Sequence, residues 1–263
     1  MYDFLSIMNV NVILSEVFEM LKGKKILIVG ASRGIGEAIA ICYAKEEADL
    51  VITGRNMQTL LPVLDKLKAL GANAHAIEWD VSDVAKGPEV MKQAAKYMGG
   101  LNVVVNNAGV IDREKFLQVR EEEWDRIFSV NVKGAYFCCQ SAANYYLENN
   151  EGDFKGKIIV IGSECGHQPH ISPYGISKWS VRGMCLGLAK ALFKRGIVLQ
   201  NIAPGPVTTE MMRWEEGKSD EYNSAFCRMA HPDEIADLAA FLASDKSNRI
   251  AGMPIYINGG LNY

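Results

Sequence analysis

Short apolar runs recur along this chain at intervals filled by stretches of helical periodicity. Lys25–Val29, Asp49–Thr53, Ala74–Glu78, Asn102–Asn106, Lys157–Ile161, Ile197–Ala203 and Pro254–Ile257 read as strands. Strands that are apolar almost throughout must be covered on both faces, which is the signature of a parallel sheet between two layers of helices. Right-handed crossovers then give one doubly wound α/β domain of about seven strands. No Pro-, Ser- or charge-rich linker interrupts the alternation, so residues 21–263 read as a single domain and residues 1–20 as an addition in front of it.

The first strand runs directly into Gly30-Ala31-Ser32-Arg33-Gly34-Ile35-Gly36, and helical periodicity resumes from Ile35 to Ala44. Glycines in that place let the backbone turn tightly, bring amides to a pyrophosphate and pack the helix on the strand, as in Rossmann-type dinucleotide folds. The spacing is G-x-x-x-G-x-G, and its position after a strand is what gives it meaning. The second strand ends in Thr53-Gly54-Arg55-Asn56. A carboxylate there would bind the ribose hydroxyl of NAD and repel a 2′-phosphate, whereas Gly54, Arg55 and the loop's Arg33 favour NADP(H). The competing reading leaves both arginines in solvent.

Downstream, Tyr174 and Lys178 stand four positions apart, so on a helix they share a face with β-carbons about 6 Å apart. Ser172-Pro173 reads as an N-cap followed by proline at the first helical position, which puts Tyr174 in the first turn. A free tyrosine titrates near 10, and both the neighbouring ammonium and the helix N-terminus favour the phenolate, so the expectation is a lowered pKa suited to proton exchange. An exposed pair on an amphipathic helix is the alternative.

Composition narrows the partners. Lys and Arg total 28 against 31 Asp and Glu, and no basic run follows a phosphate backbone, so nucleic acid is not an expected partner. The six cysteines lack paired C-x-x-C spacing and suit reduced thiols in a cytoplasmic protein, with Cys138 and Cys139 expected on different faces of one helix. The uncharged stretch from Phe4 to Ser15 is too short to span a bilayer and lacks a basic start, so neither export nor membrane insertion is expected. Val10, Ile13, Leu14, Val17 and Leu21 would share one face of a short helix, packed on the body or on a neighbouring subunit.

Taken together, the glycine loop, Asp80-Val81, Asn106-Asn107-Ala108-Gly109, Asn131 in Val130-Asn131-Val132, Ser163, Tyr174 with Lys178, and Pro204-Gly205 resemble the short-chain dehydrogenase/reductase family from about Lys24 to the C-terminus. The loop and the ending Ile257-Asn258-Gly259-Gly260 are similar to the subgroup of 3-oxoacyl-carrier-protein reductases and related ketone reductases. The resemblance implies a catalytic set of Asn131, Ser163, Tyr174 and Lys178. Tyr174 would be the general acid/base, Ser163 a donor to the substrate oxygen, Lys178 a holder of the nicotinamide ribose, and Asn131 the support of a water in a proton relay. It implies cofactor contacts from Gly30, Ser32, Arg33, Gly34, Ile35, Gly36, Arg55, Asp80, Val81, Asn107, Ala108, Gly109, Tyr174, Lys178, Pro204, Gly205, Val207 and Thr209. Local readings compete: Asp80 as a turn or cap residue, Asn106-Asn107 as a tight turn, Asn131 bonding a neighbouring backbone, Ser163 closing a turn. Two departures stand out. Val29 replaces the threonine usual before the first loop glycine, and only ten residues, Glu164, His167 and His170 among them, separate Ser163 from Tyr174.

The expected activity is NADP(H)-dependent interconversion of a ketone and a secondary alcohol, with a catalytically silent dinucleotide sensor or scaffold as the alternative. The polar segment at about 208–228, punctuated by Met211, Met212, Trp214, Tyr222 and Phe226, suits a lid. His167-x-x-His170 lacks a further ligand pattern, so no metal is expected. Gly183, Gly187 and Ala191 form a small-residue stripe that either packs on the sheet or, as the resemblance implies, pairs with another copy in a dimer or tetramer.

Overall fold

In the computed structural model, residues 20–112 and 114–261 are described. Apart from Met20, the helix expected in residues 1–20 lies outside them. Seven strands form one sheet in the order β3-β2-β1-β4-β5-β6-β7, every pairing parallel. They are β1 Lys25–Val29, β2 Asp49–Gly54, β3 Ala74–Glu78, β4 Val103–Asn106, β5 Gly156–Ile161, β6 Ile197–Pro204 and β7 Pro254–Ile257. The sequence places β4 one residue too early. Asn102, just before β4, is tied to both neighbours, its backbone amide donating to the Lys25 carbonyl at 2.8 Å, its carbonyl accepting the Lys157 amide at 2.9 Å and its side-chain oxygen accepting the Lys25 amide at 2.9 Å.

The helices are α1 Gly34–Lys45, α2 Met57–Ala69, α3 Gly87–Met98, α4 Glu121–Phe128, α5 Ala135–Asn149, α6 Pro173–Phe193 and α7 Pro232–Ala243. On one side of the sheet Ile39 and Tyr43 of α1, Leu60 of α2 and Ile235 of α7 pack against Ile26, Ile28 and Ile52. On the other, Met91 of α3, Cys138 and Tyr146 of α5 and Cys185 of α6 pack against Leu27, Val104 and Ile158. Each large apolar side chain so buried contributes about 1.5–3 kcal/mol. Gly156 is required at the start of β5, since a β-carbon there would sit 2.7 Å from the Tyr146 ring. Cys138 and Cys139, expected on different faces, are both buried in that second layer, because α5 is covered on more than one side. All six cysteines are free.

Strand order reverses its sense between β1 and β4, and a crevice opens beyond their carboxyl ends, where dinucleotides bind in folds of this kind. α4 passes into α5 through a π-helical turn, Ser129–Gly134, whose wider backbone carries Asn131. The segment after β6 leaves through a 3₁₀ turn at Glu210–Met212 with Arg213 left-handed at φ 57°, and returns by pairing Val207 with Ala230. On α6, β-carbons at Gly183 and Gly187 would meet nothing within 4 Å, so the small-residue stripe does not pack on the sheet.

Candidate active site

The glycine loop closes off the end of β1 by backbone geometry that side chains forbid. Gly30 has φ 83°, and a β-carbon on it would lie 2.7 Å from the Ala108 Cα; one on Gly36 would collide with the Gly30 carbonyl oxygen. The amides of Gly30 and Ala31 both donate to the Thr53 carbonyl, at 3.0 and 2.9 Å. Val29 contributes no hydroxyl to brace this loop; the brace comes from Asn107, whose amide nitrogen donates to the Gly30 oxygen at 2.5 Å. That role of Asn107 was not legible in the sequence, because it depends on the parallel register that sets Val29 beside Asn106.

A cleft of about 190 Å³ lies above the loop, lined by Ser32, Arg33, Gly34, Ile35, Arg55, Asp80, Val81, Asn107, Ala108, Gly109 and Thr209, with Gly30 at its floor. Its peptide amides, its missing β-carbons and the helix N-terminus of α1 fit the pyrophosphate of a nicotinamide dinucleotide. Gly36 lies behind the wall as a packing residue. Asp80 lines the cleft and also makes the local turn, its carboxylate accepting from the Ser82 amide at 2.9 Å and hydroxyl at 2.7 Å. Arg55 also lines the cleft and is exposed. Arg33 is held instead by Glu210, nitrogen to oxygen 2.8 Å.

A second cavity of about 440 Å³ adjoins the first, sharing Ile35, Asn107, Gly109, Thr209 and Met211 with it. Ser163, Tyr174 and Lys178 line it together with Pro204, Gly205 and Val207, so every expected catalytic side chain except Asn131 faces one space. Local sequence chemistry sets this up. Ser172 caps α6, its hydroxyl accepting from the Gly175 amide at 3.1 Å, and Pro173 occupies the first turn. The Tyr174 amide donates to Asp112 at 3.0 Å, which ties the loop after β4 to the start of α6. Asp112 was not among the residues singled out from the sequence, and no spacing rule would find it.

Lys178 is buried, and its ammonium donates to the Ile161 carbonyl at 3.2 Å and lies 5.7 Å from the centre of the Tyr174 ring. Burial lowers its pKa to about 8. Tyr174 is half-buried and lines the cavity, and the direction is opposite to the expected lowering: desolvation pushes the phenol up from 10, the hydrogen bond with Ser163 opposes this, and Cys165, Glu164 and Asp112 add to the rise. Desolvation of the would-be phenolate outweighs the help of a first helical turn.

Asn131 sits behind this wall. Its amide nitrogen donates to the Val110 carbonyl at 2.9 Å and the Ser177 hydroxyl at 3.0 Å, and its oxygen accepts the Val110 amide at 2.9 Å. Gly109 separates it from the lysine; a β-carbon there would lie 3.6 Å from the Asn131 oxygen and 3.7 Å from the Lys178 nitrogen. Among the described residues no group of three or more His, Cys, Asp or Glu could hold a metal ion, and His167 pairs with the Tyr256 hydroxyl at 3.2 Å.

A parallel doubly wound sheet with a glycine cleft at its switch point, joined to a cavity bearing serine, tyrosine and lysine, defines a nicotinamide-dinucleotide oxidoreductase. The short chain dehydrogenase family model matches residues 24–219, and the chain belongs to that family. It is 36% identical to glucose 1-dehydrogenase of Gluconobacter oxydans over 251 residues, 91% of this chain and 92% of the relative. It is 31% identical to 3-oxoacyl-[acyl-carrier-protein] reductase of Staphylococcus aureus, covering 90% of this chain and 98% of that one. A crystal structure of a short chain dehydrogenase from Burkholderia cenocepacia J2315 in complex with NADP superposes with a TM-score of 0.84 at 31% identity, covering 93% of this chain and all of the other. Among the described residues no helix is long and apolar enough to cross a membrane.

Proposed function

We propose that this protein is an NADP(H)-preferring reductase that converts a ketone to a secondary alcohol, with Tyr174 as the proton donor. One observation carries the reading: Ser163, Tyr174 and Lys178 line a cavity continuous with the glycine cleft. Bound NADPH supplies the hydride. Tyr174, protonated at neutral pH, gives its hydroxyl proton to the substrate oxygen as negative charge develops there. Ser163 donates a hydrogen bond to that oxygen, which strengthens as the charge grows. Lys178 holds the nicotinamide ribose and keeps positive charge beside the phenol; Asn131 acts through the wall formed by Val110 and Ser177.

The NADP preference is supported by Arg33 and Arg55 at the mouth of the cleft and by Gly54 in place of an acid. The cavity around Tyr174 is lined by Asp112 and Glu164, and Lys178 is the one lysine or arginine on its wall, so neutral hydroxylated carbonyls fit it better than keto acids. The segment 208–228 serves as its lid, and copies of the chain associate in the cytoplasm through α6, where Gly183 and Gly187 face open space beside exposed Trp179. The deciding experiment is a ketone screen against NADPH consumption with Tyr174→Phe as the blank. The expected loss of rate is about 10²–10⁴-fold with NADPH still bound. A Tyr174→Phe protein at wild-type rate ends the assignment of the acid, faster turnover with NADH ends the NADP preference, and keto acids preferred to neutral hydroxyketones end the charge argument.

A further inference from the structure

Arg33 belongs to the cofactor loop, yet its ion-pair partner lies 177 positions away on the stem of the lid. Its guanidinium and the Glu210 carboxylate meet at 2.8 Å. The backbone is fixed at both ends of this bridge. Arg33 is the extended residue that opens α1, φ −171°, and its side chain makes no cap for that helix. Glu210 begins a 3₁₀ turn fixed by the Thr209 carbonyl, which accepts from the Met212 amide at 3.0 Å and the Trp214 amide at 3.1 Å. Directly beside the bridge the two segments touch, since a β-carbon on Gly34 would lie 3.3 Å from the Thr209 methyl group. Both charged residues line the glycine cleft, as does Arg55.

We propose that Glu210 is a specificity-determining residue: its carboxylate occupies Arg33 and competes with the 2′-phosphate of an incoming NADP, while NAD meets no such competitor. The proposal rests on the reading of Arg33 as part of a 2′-phosphate clamp. Two anions contend for one planar donor, and a bidentate guanidinium satisfies one carboxylate or one phosphate well but not both. Glu210 thus tempers the NADP preference that the two arginines create.

The pair is exposed, with 66% and 69% of the two side chains accessible, so the effect is modest and sensitive to salt. The experiment is equilibrium binding of NADPH and NADH to the full chain, read by nucleotide fluorescence, for wild type, Glu210→Gln, Arg33→Ala and the double variant. Glu210→Gln is expected to tighten NADPH about two- to fivefold, the range of an exposed ion pair, and to leave NADH unchanged. The gain should shrink in 1 M salt and vanish in the double variant. Equal changes for both nucleotides, or weaker NADPH binding, would show a merely structural stem and overturn the proposal. If wild type binds NADH more tightly than NADPH, the NADP preference falls, yet the Glu210→Gln shift still decides the competition. If Arg33→Ala leaves NADPH binding untouched, clamp and competitor fall together.

Discussion

Two lysines are buried among the described residues, Lys157 in β5 and Lys178 in α6, and burial brings the pKa of each down to about 8. Their surroundings differ. The Lys157 ammonium donates to the Ser244 carbonyl at 2.6 Å and the Ser247 hydroxyl at 2.8 Å, just past the end of α7, where helix carbonyls welcome a cation. Lys178 has one such contact, 3.2 Å to Ile161, and faces a cavity. An ammonium has three donors. The one enclosed by protein acceptors anchors structure, and the one with donors turned to open space is equipped to hold something else. Burial and pKa alone do not separate the two; the partners do.

Replacing each lysine by methionine tests that distinction. Lys178→Met should reduce ketone reduction by about 10²–10⁴-fold with little change in Tm, because an isosteric apolar chain removes a desolvated charge at small cost. Lys157→Met should do the reverse. With Ser244 and Ser247 left without their donor, unfolding free energy should fall by about 1–3 kcal/mol, lowering Tm by about 2–10 °C, while kcat/KM of the folded enzyme stays within about twofold. Steady-state kinetics beside thermal melts read both, and a Lys157→Met enzyme that is stable but slow would erase the contrast.

The pH dependence sharpens it. Both folded-state values lie below the ordinary lysine value of 10.5, so between about pH 8 and that value the folded chain binds fewer protons than the unfolded one. Stability therefore rises with pH through that window, and the full penalty of the buried charges is present below it. Catalysis runs the other way, since loss of the Lys178 charge in the free enzyme should bring kcat/KM down above about pH 8. In Lys157→Met the stability rise should lose the Lys157 share while the alkaline limb of kcat/KM stays in place; a limb that moves with Lys157→Met would assign it to the wrong lysine.

Why one lysine was found in the sequence and the other was not is instructive. Lys178 carries its meaning locally, four residues from Tyr174 and behind a Ser-Pro cap, and helix geometry converts that spacing into proximity. Lys157 reads only as the polar start of a strand; its partners are 87 and 90 positions away. The strands were legible to within a residue because parallel pairing buries both faces of the central ones and leaves runs rich in Val, Ile and Leu, as in β1, β2, β4 and β5. The same distinction explains the misjudged phenol. A charge four residues away is visible in a sequence, whereas the depth at which Tyr174 sits depends on β5, on the loop after β4 and on the segment after β6. Arg33 with Glu210, and Asn107 with Gly30, belong to the same nonlocal class.

The smallest expected effect probes the passage between the lysine and the asparagine behind it. Gly109 has no left-handed backbone angle to preserve, and an alanine β-carbon would make ordinary contacts of 3.6 Å with the Asn131 oxygen and 3.7 Å with the Lys178 nitrogen. The fold should accept it, with Tm unchanged or slightly raised as the unfolded chain loses freedom. The methyl group nevertheless adds apolar surface on the side of the ammonium that faces Asn131. Desolvation of that kind disfavours the charged form, so the alkaline limb of kcat/KM should move to lower pH and kcat/KM at pH 7 should fall about two- to tenfold. A Gly109→Ala enzyme with the wild-type limb and rate would mean that the open space beside Lys178 does nothing, leaving the cavity face of the lysine as the whole difference from Lys157.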